Sequence, residues 1–187
     1  MKTTLNKIRS HSPCYNGWTK LLKNLGKTKA DDEPLLITTI LDSNGLDDAL
    51  WCLRAVDGYR REMRLFAVDC ARSVQHLMTD QRSLDALNMA ERHAHGLETD
   101  QKLSAARDAA RDAARDAARD ATWDATWDAT WESAYAATRE SAYDAAWDTA
   151  WTIAWKATGA TAADAVIEIQ SDFLRIVCAE IELREQS

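Results

Sequence analysis

The chain has 187 residues, 46% apolar and 28% charged, which is a globular rather than a disordered composition. Six glycines and two prolines are too few turn formers for an all-β sandwich, whose hairpins depend on them. The net charge is −7, yet residues 1–30 hold seven basic side chains and no acid, leaving sixteen basic against thirty acidic residues in the remainder.

An acidic body lacks the basic face that a sequence-independent nucleic-acid binder needs to displace counterions, so direct nucleic-acid binding is not expected. The basic start is expected to rest on the chain's own acids. No run of eighteen apolar residues is present, so no membrane span is expected. The first residues lack an apolar signal core, which points to a cytoplasmic location. The fold class expected is all-α, a stack or bundle of about seven to eight helices.

In chain order, residues 1–16 read as a basic, loosely docked arm and residues 17–187 as one helical domain. A stack of short helices over 17–98 leads into repeat helices over 99–158 and a closing apolar helix over 159–187. Within the stack, Gly17 to Gly26 reads as a short helix that Gly26 ends in the left-handed conformation. A polar linker follows to Pro34, then an apolar stretch from Leu35 that ends at Asn44-Gly45. Asp47 is placed to cap a helix carrying Leu50, Leu53 and Ala55. After Asp57-Gly58, a helix from about Tyr59 to Met78 shows Met63, Phe66, Ala67, Cys70, Val74 and Leu77 at three-to-four spacing. Asp80 caps the next helix, which turns Leu84, Leu87 and Ala90 inward and stops at Gly96. Cys14, Cys52, Cys70 and Cys178 form no CxxC pair. The last three sit in apolar helical patterns as small hydrophobes, so reduced thiols are expected and a zinc site is not.

From Arg107 to Thr158 the chain repeats with period four, thirteen times. The first column is Arg107, Arg111, Arg115, Arg119, Trp123, Trp127, Trp131, Tyr135, Arg139, Tyr143, Trp147, Trp151 and Trp155; the second is mostly acidic and the other two mostly alanine. Four residues turn a helix by about 400°, so the pattern drifts about 40° per unit, and one unbroken helix would be about 78 Å long. A break near Glu132 to Ser141, with Thr138 or Ser141 as a cap, suits a compact domain better. The tryptophans fit a core or an interface. A sharper alternative is an exposed ladder: Trp123, Trp127 and Trp131, with Trp147, Trp151, Trp155, Tyr135 and Tyr143, stacking bases while Arg107, Arg111 or Arg115 meets phosphate. The Arg–Asp units also fit local ion pairs on a solvated face. The closing helix is expected to start from Thr161 as its cap and to bury Val166, Ile169, Phe173, Ile176, Val177 and Ile181.

Signatures of catalysis are missing: no Gly-rich phosphate loop, no GxSxG and no HExxH occurs. His93 and His95 are two apart and point about 200° apart on a helix, so they do not chelate one metal. His76 reads as a boundary residue, and Asp69, Cys70 and Ser73 have no histidine partner. No enzyme activity, catalytic residue, metal or cofactor is expected.

The stretch Gly45-Leu46-Asp47-Asp48-Ala49-Leu50-Trp51-Cys52-Leu53-Arg54-Ala55, followed by Arg64-Leu65-Phe66-Ala67-Val68-Asp69-Cys70-Ala71-Arg72, is similar to the helical predicted immunity proteins of bacterial polymorphic-toxin loci. Those proteins and their phage or prophage relatives also carry an Ala-rich region with repeated Trp and Arg before a final apolar helix. The resemblance covers about residues 17–183 and implies a small binding protein that neutralises a toxin or effector, with no catalytic residues to carry over. The leading expectation is therefore a non-enzymatic inhibitor, an immunity or phage counter-defence factor. Its acidic surface would suit a basic, nucleic-acid-acting protein effector. The alternatives are a protein that sequesters a nucleotide signal with Trp and Arg of the repeat, and a structural homo-oligomer assembled through the repeat.

Overall fold

The computed structural model describes the backbone of residues 1–120 and 159–186, and the side chains of residues 1–76, 78–113 and 166–186. The described chain is mostly helical, as expected. It forms eight α-helices: α1 Leu5–Ser10, α2 Tyr15–Asn24, α3 Ile37–Asn44, α4 Leu46–Cys52, α5 Arg60–Ser73, α6 Gln81–Ala94, α7 Asp100–Asp120 and α8 Gly159–Glu185. It divides into two compact units, Met1–Tyr59 with Leu174–Ser187, and Arg60–Phe173.

The first unit opens with an antiparallel pair of two-residue strands, β1 Lys2–Thr3 and β2 Leu35–Leu36, in the register Lys2 to Leu36 and Thr3 to Leu35. The first sixteen residues are therefore folded rather than a loose arm. Met1, Leu5 and Ile8 are buried, the Thr3 hydroxyl donates to the Ala55 carbonyl at 2.5 Å, and Thr4 caps α1 by accepting from the Lys7 amide at 3.2 Å. Seven basic charges masked a short amphipathic pattern whose two apolar residues fall on one helix face. Two of those charges do meet acids of the same unit: Lys7 pairs with Asp57 at 2.7 Å, and Lys27 with Asp31 at 2.7 Å and Glu33 at 2.6 Å. Gly26 ends α2 at φ +65°, with the Lys27 amide reaching back to the Leu22 carbonyl at 2.9 Å. That is the left-handed stop its sequence position predicts. Asp47 does not cap α4. The helix starts after Gly45, and Asp47 lies in its first turn beside Asp48, where acids complement the positive end of the helix.

In the second unit α6 packs against both α5 and α7. α5 carries the expected stripe, with Met63, Phe66, Ala67 and Cys70 buried and Val74 buried just after it, but it ends at Ser73 and gives way to a 3-10 turn over Gln75–Leu77. Asp80 caps α6 as expected, accepting from the Arg82 amide at 2.8 Å. The inner face of α6 is made of Ser83, Ala86, Leu87, Ala90 and Ala94, small enough for two neighbours to approach closely. Ala110 and Ala113 of α7 are buried likewise, so the alanine columns of the first repeat units serve packing. The expected break at Glu132 to Ser141 lies outside the described residues.

The closing helix differs from its expected form in two ways. It begins at Gly159, which places Thr161 inside the helix rather than at its cap. Its buried residues are Gln170, Leu174, Cys178 and Ile181, while Ile169 and Ile176 are 47% and 55% exposed and Val166, Phe173 and Val177 half-buried. Only Ile181 of the expected stripe is fully buried. The cause is in the sequence: α8 carries large apolar side chains on two faces, and helical period alone does not say which face is covered.

Candidate functional site

The chain stores an unusual charge at the start of α5. Arg60, Arg61 and Arg64 fall within five residues, in the first turns of the helix. Cations there oppose the helix dipole. Arg60 and Arg64 are also four residues apart, and Arg61 and Arg64 three apart, spacings at which like charges repel on a helix. Arg64 is only 4% exposed. Burial pulls its guanidinium below its usual basicity, Arg60 adds to that pull, and the Asp100 carboxylate opposes it.

The turn after α6 brings other residues to the same place. Gly96 adopts φ +71°, and the Leu97 amide reaches back to the Arg92 carbonyl at 2.9 Å, closing the end of α6. Thr99 then caps α7 by accepting from the Lys102 amide at 3.3 Å. Glu98, its carboxylate only 9% exposed, pins the turn through Arg92 and Lys102, each at 2.7 Å. Lys102 first and Arg92 second hold that carboxyl below the usual range.

The outcome is a cavity of about 680 Å³ where the start of α5, the end of α6 and the start of α7 meet. α5 supplies Arg60, Arg61 and Arg64; α6 supplies His93 and Ala94; α7 supplies Asp100, Gln101, Leu103, Ser104 and Arg107. Among the described lining residues four guanidiniums face one carboxylate, a net of +3 in a chain of net charge −7. Two of the three helix ends are N-termini, which themselves favour anions. His93 Nε2 lies 2.7 Å from Asp100 Oδ1, and Arg61 Nη2 lies 3.3 Å from His95 Nδ1. Arg107 donates from Nη2 to Ser104 Oγ at 3.2 Å, and its Nε lies 3.6 Å from Asp108 Oδ1. His93 Nδ1 and Arg107 Nε are buried without a hydrogen-bond partner. Such a site can hold an anion: guanidiniums present fixed forks to phosphate or carboxylate and stay protonated throughout the physiological range.

Of the residues expected to bind, Arg107 lines this cavity. Arg111 is half-buried one turn further along α7, and Arg115 belongs to α7 with its side chain outside the described residues. Trp123, Trp127, Trp131, Tyr135, Tyr143, Trp147, Trp151 and Trp155 also lie outside them. Arg60, Arg61 and Arg64 were not singled out as binders. The available signal was three arginines in five residues at a helix start, inside an otherwise acidic segment. The three buried thiols offer little chemistry: burial first, and Asp48 second, push Cys52 up to about 12, and burial raises Cys70 and Cys178 as well. No group of three or more His, Cys, Asp or Glu among the described residues is arranged to hold a metal, and no described helix is long and apolar enough to cross a membrane. Compared with protein-family models, curated proteins and solved structures, the chain matches none.

Proposed function

We propose that this chain is a non-enzymatic binding protein that sequesters a nucleotide-sized anionic small molecule in the arginine cavity. The observation that carries the proposal is the convergence of four guanidiniums on one cavity of about 680 Å³. That volume lies within the ordinary range for small-molecule sites and far exceeds the needs of one inorganic oxyanion. Three of them lie in the first turns of α5, where the positive end of the helix adds to their attraction for an anion. Guanidiniums bind but do not exchange protons near neutral pH, which suits capture rather than turnover.

A second proposal, inhibition of a protein effector, has its own support. Ile169, Ile176 and Leu183, spaced seven apart on α8, are 47%, 55% and 67% exposed. An apolar row of this kind suits a protein partner, and it accords with the similarity to immunity proteins carried by residues 45–55 and 64–72.

Native mass spectrometry of the gently purified full chain separates these ideas. An excess of a few hundred daltons, lost in an Arg61→Gln/Arg107→Gln variant, is the expected result. A one-to-one complex with a second protein would replace sequestration by inhibition. An integer multiple of 20.9 kDa would make the chain a self-assembling structural protein instead.

A further inference from the structure

We infer that the cavity takes up a proton together with its anion, on His93, so that capture tightens as pH falls. This rests on the cavity being an anion site, as proposed above.

His93 is the one histidine among the described residues lining the cavity. Between about pH 5.5 and 8 guanidiniums and carboxylates keep their charge, and histidine is the side chain that changes it. The charged groups facing His93 come from both neighbours of α6: Arg60, Arg61 and Arg64 from α5, and Asp100 and Arg107 from α7. The end of its own helix adds Arg92, which Glu98 holds at 2.7 Å, and His95, whose Nδ1 lies 3.3 Å from Arg61 Nη2.

The ring has a defined orientation. Its Nε2 lies 2.7 Å from Asp100 Oδ1. A carboxylate accepts and does not donate, so Nε2 carries the N–H of the neutral ring. The second proton therefore goes to Nδ1. That atom is buried without a hydrogen-bond partner, so a charge placed there has nothing in the empty site to accept its N–H. An anion drawn in by the arginines brings the negative charge that this position lacks. It acts through space across a cavity of about 680 Å³ and needs no direct contact with the ring.

Linkage fixes the size of the effect. One negative charge several ångströms away raises the ring's affinity for a proton by about tenfold. By reciprocity the anion's affinity gains the same factor between the two ends of the titration. A coupling of about tenfold draws in at most about half a proton on binding.

Calorimetric titration of the full chain with adenosine 3′,5′-cyclic monophosphate tests the inference, because its diester keeps one charge throughout this range. Its Kd should tighten by about five- to tenfold from about pH 8 to about pH 5.5. Titrations in buffers of different ionisation enthalpy count the protons directly, and the uptake should peak at about half a proton per anion. In His93→Gln the Kd should change by less than about twofold over the same range, whereas in His95→Gln the slope should persist. A Kd independent of pH in the wild type, no proton uptake, or a slope that survives in His93→Gln would overturn the inference and leave the anion site standing. If neither the cyclic nucleotide nor inorganic pyrophosphate binds at any pH, the anion site itself fails and the inference with it. Circular dichroism establishes that His93→Gln is folded; were it not, the titration of the His93 ring in the wild type, followed by NMR with and without the nucleotide, decides in its place.

Discussion

Replacing Arg61 by glutamate should make the protein more stable while removing its affinity for anions. Arg61 is the second residue of α5 and is exposed. A cation in a first helical turn costs about 0.3–1 kcal/mol, and a like charge three residues on, at Arg64, costs about 0.2–0.5 kcal/mol. Glutamate reverses both signs, for a gross gain of about 1–3 kcal/mol. The contact to His95 Nδ1 is lost, but at 3.3 Å on the surface it is weak, and the loss offsets about 0.5–1 kcal/mol. The net expectation is about 1 kcal/mol of added stability, or about 2–4 °C in Tm for a chain of this length. The gain is electrostatic, so it should shrink by about half or more between 20 mM and 500 mM salt. Thermal unfolding followed by circular dichroism reads all of this. Inorganic pyrophosphate gives the complementary arm: at a hundredfold excess over its Kd it should stabilise the wild type by about 2.7 kcal/mol and Arg61→Glu far less. A variant less stable than the wild type at low salt would refute the idea that the cluster is strained. Equal protection of both proteins by pyrophosphate would refute its role in binding.

Four further expectations come from other parts of the structure. Gln170 is fully buried with both amide atoms unpartnered, so Gln170→Leu should stabilise by about 1–3 kcal/mol in urea unfolding; a loss of stability would mean the amide is satisfied in solution. Native protein should expose one thiol to a disulfide reagent, that of Cys14, and unfolded protein all four. The raised thiols also set a pH dependence. Cys52 keeps its proton to about pH 12 when folded against an ordinary 9.0, so the unfolded chain loses a proton that the folded one retains. Stability should accordingly fall as pH rises through that window, and Cys52→Ala should flatten the fall. Ala110 is buried, so Ala110→Leu should cost about 1–3 kcal/mol by overpacking in the same urea unfolding.

Much of the fold was legible where one local signal has one physical outcome. Gly26 and Gly96 end helices in the left-handed conformation because a side chain there would be strained. Asp80 caps α6 because its carboxylate reaches an otherwise orphaned amide. Legibility failed where two outcomes share one signal. Ile169 and Leu174 are equally apolar and lie on different faces of α8, and only the neighbours decide that Leu174 is the one covered. Lys2, Lys7 and Arg9 made the first residues read as a solvated arm, although Met1, Leu5 and Ile8 between them are core. The candidate site was half visible. Arg107 stood out through its repeat, but its convergence with Arg60, Arg61 and Arg64 depends on a turn that brings α7 back along α6. No periodicity in the sequence encodes that meeting.

An acidic protein with a cationic cavity should also show a salt dependence that neither feature gives alone. At long range an approaching anion meets the net charge of −7, and at contact it meets a net of +3 among the described lining residues. Screening acts on the first over about 20 Å at 20 mM salt and about 8 Å at physiological ionic strength. Adding salt therefore removes repulsion during approach while it weakens the ion pairs of the bound state. For adenosine 5′-monophosphate the association rate should stay within about twofold from 20 mM to 500 mM salt, while Kd weakens by about tenfold through faster dissociation. A basic protein effector drawn to the acidic surface would behave in the opposite way. Its association rate would fall by about tenfold or more over the same range, because attraction rather than repulsion is being screened. Stopped-flow kinetics with both kinds of partner thus distinguish capture in the cavity from docking on the surface by the sign of one slope. An association rate for the nucleotide that falls in step with its affinity would show that the acidic body contributes nothing to the approach and that the cavity steers its ligand unaided.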